Sequence, residues 1–211
     1  MSNKLGNNSI EQGLLYSGVY LKLKKFSDSM LYAQKVLHIK PRHVMAIKLM
    51  AQNYFALGAY EKSALAYQDI ITYSIDHLPE NYTDASIAWE KLDNQIGYEN
   101  AEKVIKKGIE DLGNLISLYN RLRELALNQR NYRKAILVQK EIIDIVPRKE
   151  FAFFKLSELH MLNNDETSAL QSLAQSKSYI YKLSQRTKNT SFIKELIENI
   201  KKTEVLILQS N

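Results

Sequence analysis

Residues 44–77 read VMAIKLMAQNYFALGAYEKSALAYQDIITYSIDH, two helical patterns on either side of a glycine. In the first half, one helix face is formed by residues at i, i+3, i+4 and i+7, which are Ile47, Met50, Ala51 and Tyr54. The second half, from about Glu61, has its own apolar face of Ala64, Tyr67, Ile70 and Ile71. Gly58 separates the two patterns, so the stretch predicts two antiparallel helices joined by a tight turn.

Ser63 belongs to a register that recurs along the chain. An aromatic residue precedes a small residue by three positions in Phe26/Ser29, Tyr60/Ser63, Tyr98/Ala101 and Tyr132/Ala135, and Glu166/Ala169 is a degenerate fifth pair. The first members of successive pairs are 34, 38, 34 and 34 residues apart. A small residue is expected here because two helix backbones approach closely, and a bulky side chain would wedge them apart.

This register resembles that of the tetratricopeptide repeat family, whose 34-residue unit is a helix, a tight turn and an antiparallel second helix. The resemblance implies an all-α fold, a right-handed α-solenoid of about five such units, in which each unit covers the apolar face of the next. A last amphipathic helix to about Gln209 is expected to cap the array, with an apolar face of Ile193, Leu196, Ile197 and Ile200.

The register also divides the chain into segments. Residues 1–9 form an N-terminal lead, the five units span residues 10–43, 44–77, 82–115, 116–149 and 150–183, and residues 184–211 hold a polar connection and the capping helix. Residues 78–81 are an insertion, which either lengthens the second helix of unit two or forms a loop before Asn81 caps the next helix. Trp89 and Arg123 stand where other units have a small residue, and Trp89 is expected in the core.

The composition excludes several classes of protein. Of the 211 residues, 45% are hydrophobic and 25% are charged, which is a globular composition with enough apolar side chains for a sizeable core. The absence of cysteine excludes disulfides, thiolate chemistry and sulfur-bound zinc. The start lacks the apolar core of a signal peptide, and no run of about 18 apolar residues occurs, so we expect a cytoplasmic protein without a membrane partner.

Motifs for catalysis are missing from the sequence. The four histidines, His38, His43, His77 and His160, never stand at the i, i+4 spacing with which one helix face grips a metal. No glycine-rich phosphate loop, nucleophile elbow or HExxH motif occurs. We therefore predict that the chain is not an enzyme and that it uses no cofactor and no metal.

In proteins with this repeat, the first helices of successive units line a concave groove that holds a partner. By register, the resemblance implies a groove formed by Leu14, Leu21, Lys22, Lys48, Gln52, Phe55, Glu90, Asp93, Asn120, Glu124, Leu127, Phe154 and Glu158. Its acids and apolar residues predict a scaffold or adaptor for another protein or a peptide with basic and apolar residues, alone or as a subunit of a larger complex. The alternatives are that these residues only solvate the face, or that the convex face binds.

One binding mode within the resemblance is not predicted. Repeat proteins that hold acidic C-terminal tails use a clamp of lysines and asparagines over adjacent units. Here Lys48 has a clamp-type position, but unit three supplies Ile87 and Glu90 instead of an amide or a cation. The clamp is therefore incomplete.

The distribution of charge supports a different alternative. Residues 1–50 contain eight Lys/Arg and two acids, whereas residues 51–100 contain two and eight. The N-terminal lysines are interleaved with Tyr20, Phe26 and Tyr32, a mixture that suits single-stranded nucleic acid if the rings are exposed. A nucleic-acid-associated repeat protein using this basic face is the alternative function, but nucleic acid is the less favoured partner because Tyr20 and Phe26 are expected to pack between helices.

Overall fold

Every secondary-structure element of the described part of the chain is a helix. The computed structural model describes the backbone of residues 2–209 and the side chains of residues 8–209. Its helices are α1 (Ser2–Lys22), α2 (Phe26–Ile39), α3 (Val44–Ala56), α4 (Tyr60–Tyr73), α5 (Pro79–Glu90), α6 (Gln95–Leu112), α7 (Ile116–Asn128), α8 (Tyr132–Ile145), α9 (Glu150–Leu162), α10 (Glu166–Tyr181), α11 (Gln185–Lys188) and α12 (Ser191–Gln209). Among them, none is long and apolar enough to cross a membrane.

The helices form two compact units, residues 1–113 and 114–211. In the first unit each helix packs on the next, from α1 to α6, which gives three helix–turn–helix pairs. In the second unit α7 to α10 form two further pairs in the same way, α12 packs on α10, and the short α11 contacts α12. The predicted all-α repeat fold is therefore confirmed, whereas the residue limits of each repeat stay a prediction.

The turn inside each helix pair contains one residue in the left-handed region of backbone conformation. The five residues are Lys24 (φ 59°), Gly58 (φ 75°), Asp93 (φ 49°), Arg130 (φ 54°) and Asn164 (φ 55°). This conformation reverses the chain within a few residues, so that two helices lie antiparallel. Gly58 adopts it without strain, whereas a residue with a Cβ atom meets its own backbone there.

Three of the second helices, α6, α8 and α10, begin at a side-chain cap. In each case a side-chain oxygen accepts a hydrogen bond from the backbone N–H three residues later, which satisfies one of the free donors of the first turn. The capping residues and their donor–acceptor distances are Asn94 (2.8 Å), Asn131 (3.1 Å) and Asp165 (3.0 Å).

The small residues of the register are fully buried. Each of them is 0% exposed: Ser29, Ser63, Ala101, Ala135 and Ala169. Trp89 is only 6% exposed, so its predicted place in the core is confirmed. Its neighbours on the same helix, Ala85 and Ala88, are 0% exposed and leave room for the indole.

The start of α5 differs from both predicted alternatives. The helix begins at Pro79, so residues 79–81 form its first turn and do not lengthen α4, which ends at Tyr73. Leu78 is the residue before the helix, and Asn81 is buried inside it instead of capping it. The physical reason is the proline, because its fixed φ and missing N–H suit the first turn of a helix.

The C-terminal segment covers the apolar side of the last helix pair. Ile193, Leu196, Ile200 and Ile207 of α12 are buried in one cluster with Leu173 and Ile180 of α10. Before it, the polar connection contains one helical turn, α11, which Ser184 caps with its Oγ 3.3 Å from the backbone nitrogen of Thr187. The turn begins at Ser184 because this side chain satisfies one of the free N–H donors of the turn.

Candidate functional site

The predicted groove residues fall into two sets, one in each unit. The first unit contains Leu14, Leu21 and Lys22 on α1, Lys48, Gln52 and Phe55 on α3, Glu90 at the end of α5 and Asp93 in the following turn. The second unit contains Asn120, Glu124 and Leu127 on α7, and Phe154 and Glu158 on α9.

The leucines of α1 serve the packing of the first unit. Leu14 and Leu21 are half-buried and lie against a cluster that contains Ala33 and Met50. Lys22, at the end of the helix, is exposed. On this helix the two leucines therefore pack in part against α2 and α3, and their place in a binding groove stays a prediction.

A small pocket opens between α3, α4 and α5. It has a volume of about 300 Å³ and is lined by Gln52, Phe55, Tyr67, Asp84 and Ile87. The hydroxyl of the buried Tyr67 donates a hydrogen bond to the carboxyl group of Asp84. Burial raises the pKa of Asp84, and the nearby Lys48 opposes this shift. The structure thus brings together three predicted residues, Lys48, Gln52 and Phe55, around a half-buried acid.

Tyr67 and Asp84 are site residues that the sequence did not identify. Tyr67 follows the apolar stripe of its helix, so the sequence assigns it to the core. Asp84 directly precedes two small buried residues of α5, Ala85 and Ser86, and this is the one signal in the sequence that an acid lies beside the core. No spacing connects the two residues, since they lie on different helices.

The two predicted acids near the end of α5 have different surroundings. Asp93 accepts a hydrogen bond of 2.6 Å from the hydroxyl of Tyr98, and this bond raises the pKa of the phenol. Asp93 has a positive φ in the turn between α5 and α6, and its hydrogen bond joins this turn to Tyr98 of α6. Glu90 is half-buried at the C-terminal end of α5.

A larger pocket lies in the second unit between α7, α9 and α12. It has a volume of about 570 Å³ and is lined by Arg123, Leu127, Lys155, Glu158, Leu159, Met161, Leu162, Thr203 and Leu206. Leu162 is 50% exposed and Leu206 is 63% exposed, so the apolar lining reaches the surface. Two predicted residues, Leu127 and Glu158, share this pocket, which we call the α7/α9/α12 pocket.

Arg123 forms part of the wall of this pocket. Its Nη1 donates a hydrogen bond to Oε1 of Gln139 on α8. Burial lowers the pKa of the guanidinium, and Glu124 and Glu158 counteract the shift, so the group stays charged. The Nζ of Lys155 lies 2.8 Å from Oε2 of Glu158 and completes the polar side of the pocket.

The remaining predicted residues of the second unit differ in their exposure to solvent. Glu124 is exposed and Asn120 is half-buried on α7. Phe154 is only 5% exposed and belongs to the buried cluster shared by α9, α10 and α12. Its assignment to a binding surface is wrong, because this position is filled by core packing that includes the C-terminal helix.

Three tyrosine rings of the basic N-terminal segment pack against one another. The rings of Tyr20 and Tyr32 are stacked at 5.6 Å, and Tyr16 lies 5.1 Å from Tyr32. Lys35 lies over the ring of Tyr32 at 4.7 Å, and Phe26 is half-buried. These contacts favour a packing role for the rings, as expected from the register.

Comparison with known proteins gives matches of fold and none of sequence. No protein-family model matches the chain, and no curated protein sequence matches it. The structure of MamA has a TM-score of 0.62 at 14% identity, covering 84% of this chain and 98% of that one. YrrB, described as a TPR protein with an unusual peptide-binding site, has a TM-score of 0.56 at 11% identity, covering 82% and 91%.

A tetratricopeptide repeat protein from Parabacteroides merdae is similar to the same extent. Its TM-score is 0.56 at 14% identity, and the match covers 90% of this chain and 84% of that one. The helix pairs, the buried small residues and these structural neighbours agree with one another. The chain therefore has the tetratricopeptide repeat fold.

Proposed function

We propose that this protein is a non-enzymatic scaffold that binds another polypeptide. The observation that carries the proposal is the α7/α9/α12 pocket, whose volume of about 570 Å³ is bounded mainly by leucine and methionine side chains. A pocket that is apolar inside and has a few charged groups at its wall is typical of a ligand or peptide anchor. The cytoplasmic location expected from the sequence is part of this proposal.

The partner segment is proposed to place an apolar side chain in this pocket. Leu127, Leu162 and Leu206 offer apolar surface at or near the rim, and burying such surface is the main favourable term in association. Exposed Glu124, on the same helix as Leu127, is available to a basic residue of the partner. The solved structure of YrrB, described as having a peptide-binding site, supports peptide binding as a use of this fold.

The test is a peptide array probed with purified wild-type protein and two matched variants. Leu127→Ser/Leu206→Ser makes the pocket polar, whereas Leu137→Ser/Leu208→Ser changes two exposed leucines outside its lining. We expect peptides with a large apolar residue to be retained by the wild type and the control, and to be lost by the pocket variant. Equal retention by all three proteins would remove this pocket from the proposal.

A second pair of substitutions tests the residues inferred from the register. Phe55→Ala and Glu124→Lys change one half-buried ring in the first unit and one exposed acid in the second. The double variant is expected to keep its helical content by circular dichroism and to lose peptides that contain both basic and apolar residues. If those peptides are still retained, the surfaces of α3 and α7 around Phe55 and Glu124 do not bind the partner.

A further inference from the structure

A second pocket of the first unit has a different chemistry and shares only Lys48 with the predicted groove residues. It is formed by the loop between α2 and α3, the loop between α4 and α5, and the first turns of α3 and α5, and its volume is about 560 Å³. We call it the loop pocket. Two residues of the insertion, Leu78 and Asn81, contribute to its lining.

The charged side chains of the loop pocket are mostly cationic. Lys40, Arg42 and Lys48 line it together with one acid, Asp76. Neither Lys40 nor Arg42 forms an ion pair with a described residue, and both are exposed. The guanidinium of Arg42 lies 4.6 Å from the ring centroid of Tyr73, which orients it at the pocket wall. This wall therefore has positive charge that the described part of the chain leaves unpaired.

Between these cations the pocket exposes large apolar side chains. Ile75 is 95% exposed, Met45 is 52% exposed and Leu78 is 50% exposed. Exposed apolar groups that cluster within a charged rim mark interaction surfaces more often than isolated ones do. In the same lining, Nδ1 of His43 is shielded from solvent and has no hydrogen-bond partner among the described residues.

We propose that the loop pocket binds an acidic segment of a partner polypeptide that carries at least one apolar side chain. Carboxylates would pair with Arg42 and Lys40, and the apolar side chain would cover Met45 and Ile75. The site is distinct from the α7/α9/α12 pocket and shares no residue with it, so this inference goes beyond the proposed function.

The same observations favour a polypeptide over a nucleic acid. Binding of single strands combines phosphate contacts with bases stacked on exposed aromatic rings. Among the described residues that line the loop pocket, Tyr73 is the one phenylalanine, tyrosine or tryptophan. Arg42 already covers one face of its ring. The exposed side chains of Ile75, Met45 and Leu78 would contribute little to the binding of a phosphate backbone. They would contribute to the binding of a peptide by packing against its apolar side chains.

The experiment measures fluorescence anisotropy with a labelled peptide of glutamate and leucine residues. Two matched peptides replace glutamate by glutamine or leucine by serine, and a thymidine oligonucleotide serves as the nucleic-acid probe. We expect the wild type to bind the glutamate–leucine peptide more tightly than the other three probes, with an affinity that falls as salt is added. Equal affinity for the glutamate and glutamine peptides, or tighter binding of the oligonucleotide, would overturn the proposal.

Charge-reversal variants locate the site. Lys40→Glu/Arg42→Glu is expected to weaken binding of the glutamate–leucine peptide by about tenfold or more. The control Lys24→Glu/Lys25→Glu has the same change in net charge at exposed residues outside the pocket, and it should bind as the wild type does. A control as weak as the pocket variant would mean that only net charge matters. If the reversed pair fails to fold, Lys40→Gln/Arg42→Gln replaces it, with a smaller loss expected.

Further measurements test the apolar part of the loop pocket and distinguish a peptide from a second copy of the chain as its occupant. Met45→Ser/Ile75→Ser should weaken binding of the glutamate–leucine peptide. The control Ile96→Ser/Leu137→Ser changes exposed residues outside the pocket and should bind the peptide as the wild type does. Sedimentation of the wild type tests for self-association, and a dimer that Lys40→Glu/Arg42→Glu dissociates would make a second copy the occupant and overturn the proposal. Leu127→Ser/Leu206→Ser should leave this peptide bound, which keeps the two sites independent.

Discussion

Arg123 on α7 donates a hydrogen bond from Nη1 to Oε1 of Gln139 on α8. Gln139 is 1% exposed and donates in turn from Nε2 to the carbonyl oxygen of Ala152 on α9 at 2.8 Å. One amide therefore joins three helices of the second unit. This relay explains how a long charged residue fits where other repeats have a small one, because its head group leaves the helix contact and finds an acceptor.

The relay makes a double-mutant prediction. Gln139→Leu removes the acceptor of a half-buried guanidinium, so the free energy of unfolding should fall by about 1–3 kcal/mol. Arg123→Met in the same chain removes the group left without a partner, and should recover part of this loss. Urea unfolding of the two single variants and the double variant measures the coupling. Strictly additive losses would show that the two side chains do not interact.

Ser63 tests the close contact between α3 and α4. Its side chain is 0% exposed, and its Oγ has no hydrogen-bond partner among the described residues. Ser63→Leu should lower the free energy of unfolding by about 1–3 kcal/mol through overpacking. Ser63→Ala removes an unsatisfied hydroxyl without adding volume, so it should leave the stability unchanged or raise it. An unaltered melting temperature for the leucine variant would contradict the register on which the repeat is based.

The fold could be predicted because its determinants are periodic and local. The small residue of each helix pair, the left-handed turn and the apolar stripe all repeat along the chain, and each is needed wherever two helices cross. The start of α5 was missed because the register says nothing about where a helix begins in an insertion. The proline at position 79 was the stronger signal there.

The candidate sites were predicted less completely because they depend on contacts between helices. Gln52 and Phe55 do line a pocket, but its acid, Asp84, comes from another helix with no fixed spacing to them. Phe154 follows the groove register and is nevertheless buried, since α9, α10 and α12 share its cluster. A register assigns a residue to a helix face, whereas tertiary packing decides whether that face is open.

The C-terminal helix is expected to stabilise the second unit. Ile200 is 2% exposed in the cluster shared with α10, whereas Leu208 on the same helix is 69% exposed. Ile200→Ala should lower the free energy of unfolding by about 2–5 kcal/mol through lost burial and a cavity. Leu208→Ala should change it by no more than about 0.5 kcal/mol. Similar effects of the two changes in urea unfolding would mean that α12 does not dock as described.

The left-handed turns predict opposite effects of glycine at two nearby arginines. Arg130 has a φ of 54° in the turn between α7 and α8, and Arg133 is exposed in the first turn of α8. Arg130→Gly relieves backbone strain, so the free energy of unfolding should stay constant or rise despite the more flexible unfolded chain. Arg133→Gly should lower it by less than about 1 kcal/mol, which is the cost of glycine in a helix interior. Thermal unfolding of both variants checks this order, and a greater loss at position 130 would argue against the turn conformation.

His160 on α9 predicts a dependence of stability on pH. The residue is 8% exposed, and its Nδ1 lies 3.4 Å from Oδ2 of Asp165. Burial lowers the pKa of this imidazole from its ordinary value of 6.5, and Asp165 only partly opposes the shift. As the pH falls below that ordinary value, the unfolded chain binds a proton that the folded chain resists, so the folded state loses stability.

The corresponding experiment compares the free energy of unfolding at about pH 7 and about pH 5 in urea. The wild type should be less stable at the lower pH, and His160→Gln should show a smaller difference because one proton uptake is removed. The matched control is His38→Gln, which changes an exposed histidine of α2 and should keep the wild-type difference. If His160→Gln keeps the full difference as well, other groups such as His43, whose pKa burial also lowers, account for it.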